Sequence, residues 1–132
     1  MKIQIIGYAG SGKSTLINLI PRLYDATEGS ITLDGIDIKD LNVKDLRNSV
    51  GFVPQKAVLF KGTIKENLKF GKKDATDEDI NKALEVAQAK NFISKLPDGL
   101  DSYVAQGGKN FSGGQKQRLA IARTLVKKPE IY

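Results

Sequence analysis

"GYAGSGKS", Gly7 to Ser14, is the stretch whose reading decides the fold. It fits the pattern G-x-x-x-x-G-K-[ST] at every fixed position, and each fixed residue has a mechanical reason. Gly7 and Gly12, helped by Gly10, let the backbone wrap a polyphosphate with its N–H groups pointing inward. Lys13 reaches the β- and γ-phosphates, and the Ser14 hydroxyl is a ligand for Mg²⁺. The context agrees: "KIQIIG" before the loop is a short apolar run of the kind that forms a buried strand. "KSTLINLIPRLY" after it carries Leu16, Ile17, Leu19, Ile20 and Leu23 at helical spacing, with Pro21 near its end. A strand–loop–helix unit with this loop serves a magnesium-bound nucleoside triphosphate. Which triphosphate, and which reaction, the loop alone leaves open.

Outward from the loop, "GSITLDGIDI" reads as a hairpin turning on Asp34-Gly35, a strong two-residue turn pair. "NVKDLRNS" predicts a helical turn or two, and "VGFVPQ" a strand halted by Pro54. From Thr63 to about Leu96 the pattern is helical, with Thr76 as the cap of "DEDINKALEVAQ" and Asp77, Glu78 and Asp79 suited to the positive end of its dipole. Further on, "NFSGGQKQRLAIARTL" (Asn110 to Leu125) opens an amphipathic helix with two adjacent glycines behind the good N-cap Ser112. Glycine in a first turn costs up to about 1 kcal/mol against alanine. It makes sense there if an anion must approach the backbone closely; a loop that merely needs two flexible residues explains it as well.

Bulk composition narrows the classes. The chain has 132 residues, enough for one modest core, with 40% hydrophobic and 27% charged residues, as in a soluble globular protein. It has no cysteine and no histidine, which excludes disulfides, the usual zinc sites and imidazole catalysis. No run approaches the ~18 apolar residues of a membrane span, and the N-terminus is too short in apolar residues for a signal peptide. The net charge of +6 comes from lysines interleaved with acids, a solvated surface and not a nucleic-acid groove, so no nucleic-acid partner is expected.

Taken together, "GYAGSGKST" and "FSGGQ" resemble the nucleotide-binding domain of ABC transporters, and the resemblance covers the whole chain. "GFVPQ" places Gln55 at the family's Q-loop position. The segments "DGIDIKDLNVKDLRNSVGFVPQKAVLFKGTIKENLKFG" and "VAQGGKNFSGGQKQRLAIARTLVKKPEI" are similar to exporter-type domains, with Phe111 in place of the commonest leucine and Gln106 where an acid is frequent. The resemblance implies an α/β fold: a P-loop NTPase core of mostly parallel sheet with flanking helices, a partial antiparallel β annex and a helical subdomain, present as an incomplete domain. It divides the chain into residues 1–55 (core and annex), 56–110 (helical subdomain) and 111–132 (signature helix and the start of the next strand).

The same resemblance implies ATP and Mg²⁺ as cofactors. Gly7, Tyr8, Ala9, Gly10, Ser11, Gly12, Lys13, Ser14 and Thr15 would bind the nucleotide of one subunit. Ser112, Gly113, Gly114 and Gln115 would contact the γ-phosphate held by a second nucleotide-binding domain in a head-to-tail dimer, with Gln115 orienting the signature loop. Ser14 and Gln55 would serve the metal, and Gln55 the attacking water. For Arg118 and Arg123 a solvated helix position explains as much as a specific role. The implied partner is a transmembrane domain, and the implied location the cytoplasmic side of the cell membrane. The family's adenine-stacking aromatic precedes the phosphate loop, and the acids that hold Mg²⁺ and polarise water follow "KKPE". The expectation is therefore a transport ATPase as parent and a 132-residue chain that lacks hydrolysis and tends to self-associate through an unpaired strand edge. A non-transport ABC ATPase, or a non-hydrolytic nucleotide-binding and dimerising module, is the alternative.

Overall fold

The computed structural model describes residues 1–132, which form two compact units, Met1–Val50 and Gly51–Tyr132. No helix is long and apolar enough to cross a membrane.

In the first unit the phosphate loop leads into α1 (Lys13–Leu19), and the hairpin follows as β1 (Thr32–Leu33) and β2 (Ile36–Asp37), paired Thr32↔Asp37 and Leu33↔Ile36. Asp34 and Gly35 both take positive φ, 50° and 81°, the left-handed pair that a two-residue turn matching strand twist requires. Asn42 caps α2 (Val43–Ser49) by accepting from the Lys44 N–H at 2.9 Å. Ile38, Leu46 and Val50 form the small core, with Ile20, Ile31, Leu33 and Leu41 packed against it. Two arginines knit the unit. Arg22 donates to the carbonyls of Ile38 and Lys39 at 3.2 and 3.3 Å, and Arg47 donates to those of Pro21 and Arg22 at 3.0 and 2.8 Å.

Two expectations about this unit need correction. "KIQIIG" forms no strand, and Ile3, Ile5 and Ile6 are exposed. An isolated run has no ladder to join, and its period alone cannot supply one. The helix after the loop is shorter than its apolar spacing suggests and buries no residue, with Leu16 and Ile17 exposed. Pro21 disfavours helix at Ile20, and the chain turns through Arg22 at φ 51°. In the second unit residues 51–55 of the "VGFVPQ" run likewise form no strand; Gly51 N–H makes a single bond to the Ile131 carbonyl at 2.7 Å.

The second unit is the helical one. It contains β3 (Gly62–Thr63), α3 (Ile64–Lys69), α4 (Asp77–Val86), α5 (Lys90–Ile93), β4 (Tyr103–Val104) and α6 (Gly113–Val126), with β3 antiparallel to β4. Its core holds Leu59, Ile64, Leu68, Ile80, Leu84, Val104, Leu119 and Val126, all essentially without solvent contact, and α6 packs on both α3 and α4. Three of its helices begin with reciprocal capping boxes: Thr63 with Glu66, Thr76 with Asp79, and Ser112 with Gln115.

The Thr76 cap is tied to the far end of α6. Asp79 Oδ1 accepts from Lys128 Nζ at 2.6 Å, and its Oδ2 accepts from the Thr76 N–H at 3.3 Å. The ammonium first, then the Thr76 backbone bond, holds this carboxyl at about 2, below its ordinary 3.8. A depressed folded-state value means that the contribution is complete above the ordinary value and is lost as pH falls through it toward about 2. Thermal melts of the wild type and Asp79→Asn should therefore differ at neutral pH and converge between about pH 4 and pH 2. A constant difference across that window would remove the Lys128–Asp79 pair from the account.

Candidate functional site

The phosphate loop is built by its glycines. Gly10 and Gly12 adopt φ 77° and 89°, in the left-handed region that side chains resist. The Ser11 N–H closes a turn onto the Tyr8 carbonyl at 3.1 Å, which brings Ser11 Oγ to 2.6 Å from where a Cβ on Gly7 would lie. Across this curve Lys13 Nζ donates to the carbonyls of Gly7 and Tyr8 at 2.8 and 2.6 Å, with Ser11 Oγ a looser 3.3 Å away. Two strong bonds fix the ammonium over the loop, and the weaker third can be exchanged for a phosphate oxygen. Tyr8 is 90% exposed and its ring covers nothing. Ala9, Ser14 and Thr15 are exposed too, and the Ser14 hydroxyl makes no hydrogen bond.

A metal would find no carboxylate cage, because no group of three acids converges anywhere in the chain. The donor that fits Mg²⁺ is the open Ser14 hydroxyl, a hard oxygen. That suits an ion which normally keeps several waters and takes its remaining ligands from substrate phosphates.

In the second unit, Gln55 lies in an exposed bend with its amide unengaged. The start of α6 is more elaborate. Ser112 Oγ accepts from the Gln115 N–H at 3.2 Å, while Gln115 Oε1 accepts from the Ser112 N–H at 3.0 Å. The Gln115 side chain thus shapes the helix start, and the N–H groups of Gly113 and Gly114 remain without acceptors. Phe111, one residue earlier, is buried edge-on against Phe92 with centroids 6.3 Å apart, which anchors the turn in the core. Asn110 holds the preceding loop, accepting from the Ala105 N–H and donating to the Tyr103 carbonyl.

Gly113 and Gly114 have no reason within the chain to be glycine. Neither takes positive φ, and a Cβ on either would meet no atom within 4 Å. Their helix-propensity cost is not recovered by any internal contact. Gly113→Ala and Gly114→Ala should each stabilise this unit by up to about 1 kcal/mol, read as a higher urea midpoint. Destabilisation by either change would show a packing role that the open space around them contradicts.

The two arginines of α6 separate sharply. Arg118 stays at the surface and reaches the Gln88 carbonyl at 3.3 Å. Arg123 is drawn inside the fold, and burial lowers its pKa. Its Nε and Nη2 donate to the backbone carbonyl and Oδ1 of Asn67 at 3.0 and 2.9 Å, its Nη1 to the Val58 carbonyl at 3.1 Å, and its Cζ lies 4.9 Å from the centroid of the Phe60 ring. Asn67, 3% exposed, completes the network through the backbone of Phe60. From the sequence Arg123 reads equally well as a solvated helix position, and the one local sign of its partner is a polar Asn67 between Ile64 and Leu68 on the buried face of α3.

The chain is similar to known proteins over nearly its whole length. The family profile described as ABC transporter matches residues 1–132. The chain is 49% identical over 129 residues to ABC transporter B family member 21 of Arabidopsis thaliana, covering 98% of this chain and 10% of that protein. It is 50% identical over 129 residues to a Staphylococcus aureus protein named as a multidrug export ATP-binding/permease protein, spanning 22% of its length. Among solved structures, a bacterial Atm1-family ABC exporter with ATP bound superposes with a TM-score of 0.88 at 45% identity, over 92% of this chain and 21% of the exporter chain.

Proposed function

Because the chain belongs to the ABC transporter family and has its P-loop NTPase fold, we propose that it is the ATP-binding part of an exporter, coupling ATP binding and hydrolysis to movement of a substrate across a membrane. The observation that carries this reading is the coexistence of two phosphate-directed features. One is the glycine loop with its ammonium fixed over the curve. The other is a helix start whose two glycines leave their N–H groups and their surroundings open.

ATP is held by Gly7 to Thr15. The loop N–H groups and Lys13 take the phosphates, and Ser14 supplies the protein oxygen to Mg²⁺, which neutralises the phosphate charge when bound. One chain has a single phosphate loop, so the open start of α6 serves the ATP of a second copy. Ser112, Gly113 and Gly114 offer a hydroxyl and two N–H groups to its γ-phosphate, while Gln115 keeps them in place. Two copies joined head to tail then close on two nucleotides and part after hydrolysis, and that motion drives a transmembrane partner. Because the nucleotide is cytoplasmic, this part of the protein works on the cytoplasmic side of the membrane. Relatives named for both ATP binding and permease activity support such a partner.

Gln55 would offer a neutral amide to the bound metal and to the attacking water. In the full-length protein Gln55→Ala should lower turnover while Mg-ATP affinity stays within about threefold, roughly 0.7 kcal/mol. Steady-state phosphate release measured beside equilibrium Mg-ATP binding separates the two quantities. Normal turnover in this variant would leave Gln55 with no part in the reaction, and absence of Mg-ATP binding in the wild type would end the whole reading.

A further inference from the structure

Arg123 stands ten positions beyond Gly113 on the same continuous helix, about 15 Å along its axis at 1.5 Å per residue. Its guanidinium is held by three hydrogen bonds to two separate segments and by an aromatic face. Asn67 extends that hold: its Oδ1 accepts from the Phe60 N–H and its Nδ2 donates to the Phe60 carbonyl, both at 2.8 Å. Phe60 in turn packs against Phe70, with centroids 4.7 Å apart. Between Phe70 and α6, Gly71 lies so close to the Arg123 carbonyl that a Cβ there would collide with it. Backbone, side chain and ring contacts therefore bind the Phe60–Phe70 pair to one turn of α6.

These rings are not core. Phe60 is 45% and Phe70 69% exposed, so the network rigidifies an apolar surface that gains little from burial. A partly buried guanidinium is also a poor choice for stability alone, since an apolar side chain of similar volume often does as well or better. A planar fork that fixes two segments at once does what an apolar side chain cannot. We propose that Arg123 is a positioning residue: it carries displacement of the open start of α6 to the exposed Phe60–Phe70 face. This inference rests on the proposed ATP site, since nucleotide is what would displace the helix start.

The test places 4-fluorophenylalanine at position 60 or 70 of the full-length protein and follows each fluorine line during a Mg-ATP titration, with calorimetry on the same samples. In an otherwise unaltered protein both lines should shift. Arg123→Lys, which keeps the charge and loses the fork, should bind Mg-ATP within about threefold of normal while the lines no longer respond. A merely structural role would lower the thermal midpoint and leave that response intact. Should Arg123→Lys fail to fold, Phe60→Leu read at position 70 keeps every Arg123 hydrogen bond and removes only the ring between Arg123 and Phe70; at least half of the shift should disappear. A full response in either variant overturns the proposal, as do unmoving lines in the unaltered protein when calorimetry reports binding. Calorimetry that reports no binding brings down the ATP-site reading itself, and this inference with it.

Discussion

Lys13→Ala is expected to lower the affinity of the chain for Mg-ATP at least tenfold, about 1.4 kcal/mol or more. The ammonium is the only charge that the loop itself contributes, and the Gly7 and Tyr8 carbonyls hold it in place before any nucleotide arrives. Little side-chain entropy therefore remains to be lost on binding, and the charge-assisted bond to a phosphate oxygen retains most of its value. Alanine removes that charge and also releases the two carbonyls that curve the loop. Titration calorimetry on the two proteins measures the difference directly, and equal affinities would detach the phosphate loop from nucleotide binding.

The largest effect on stability is expected from Asn67→Ala, a loss of about 3 kcal/mol or more in the second unit. Asn67 Oδ1 accepts from the Phe60 N–H and Arg123 Nη2, and its Nδ2 donates to the carbonyls of Phe60 and Thr63. Its neighbours in α3, Ile64 and Leu68, have no solvent exposure, so water cannot readily replace those partners. Truncation leaves backbone groups of Phe60 and one arm of a partly buried guanidinium unpaired together. Urea unfolding followed by far-UV circular dichroism gives the number. A loss below about 1 kcal/mol would mean that the network relaxes or hydrates easily, contrary to its burial.

What the residues reveal in advance, and what they withhold, follows from the range of the interactions. The Asp34-Gly35 turn, the Thr76 cap and the Ser112 helix start were all legible, because each is decided within four residues. So was the glycine loop, whose geometry depends on its own backbone. "KIQIIG" misleads for the opposite reason: a strand is defined by its neighbour, and an apolar run carries no information about whether one is present. The face of α1 fails likewise, since amphipathic spacing predicts an apolar stripe and not the surface that covers it. Arg123 was legible only as a helix residue. Its partners Asn67 and Val58 lie 56 and 65 positions away, and no local pattern announces them.

The glycine pair of α6 is legible in part. Its helix-breaking cost is evident from the residues, but that nothing inside the chain requires it emerges only from the empty space around Gly113 and Gly114. The proposed shared nucleotide, held by the phosphate loop of one copy and the helix start of another, would occupy that open space. The chain has no cysteine, so a disulfide trap has no background within it. One protein carrying Ala9→Cys is mixed with a second carrying Ser112→Cys, with and without Mg-ATP, under mild oxidation. A crosslinked heterodimer should appear on a non-reducing gel with Mg-ATP and vanish when the Ala9→Cys chain also carries Lys13→Ala. Crosslinking that ignores nucleotide, or none at any Mg-ATP concentration that saturates binding, would contradict a shared nucleotide.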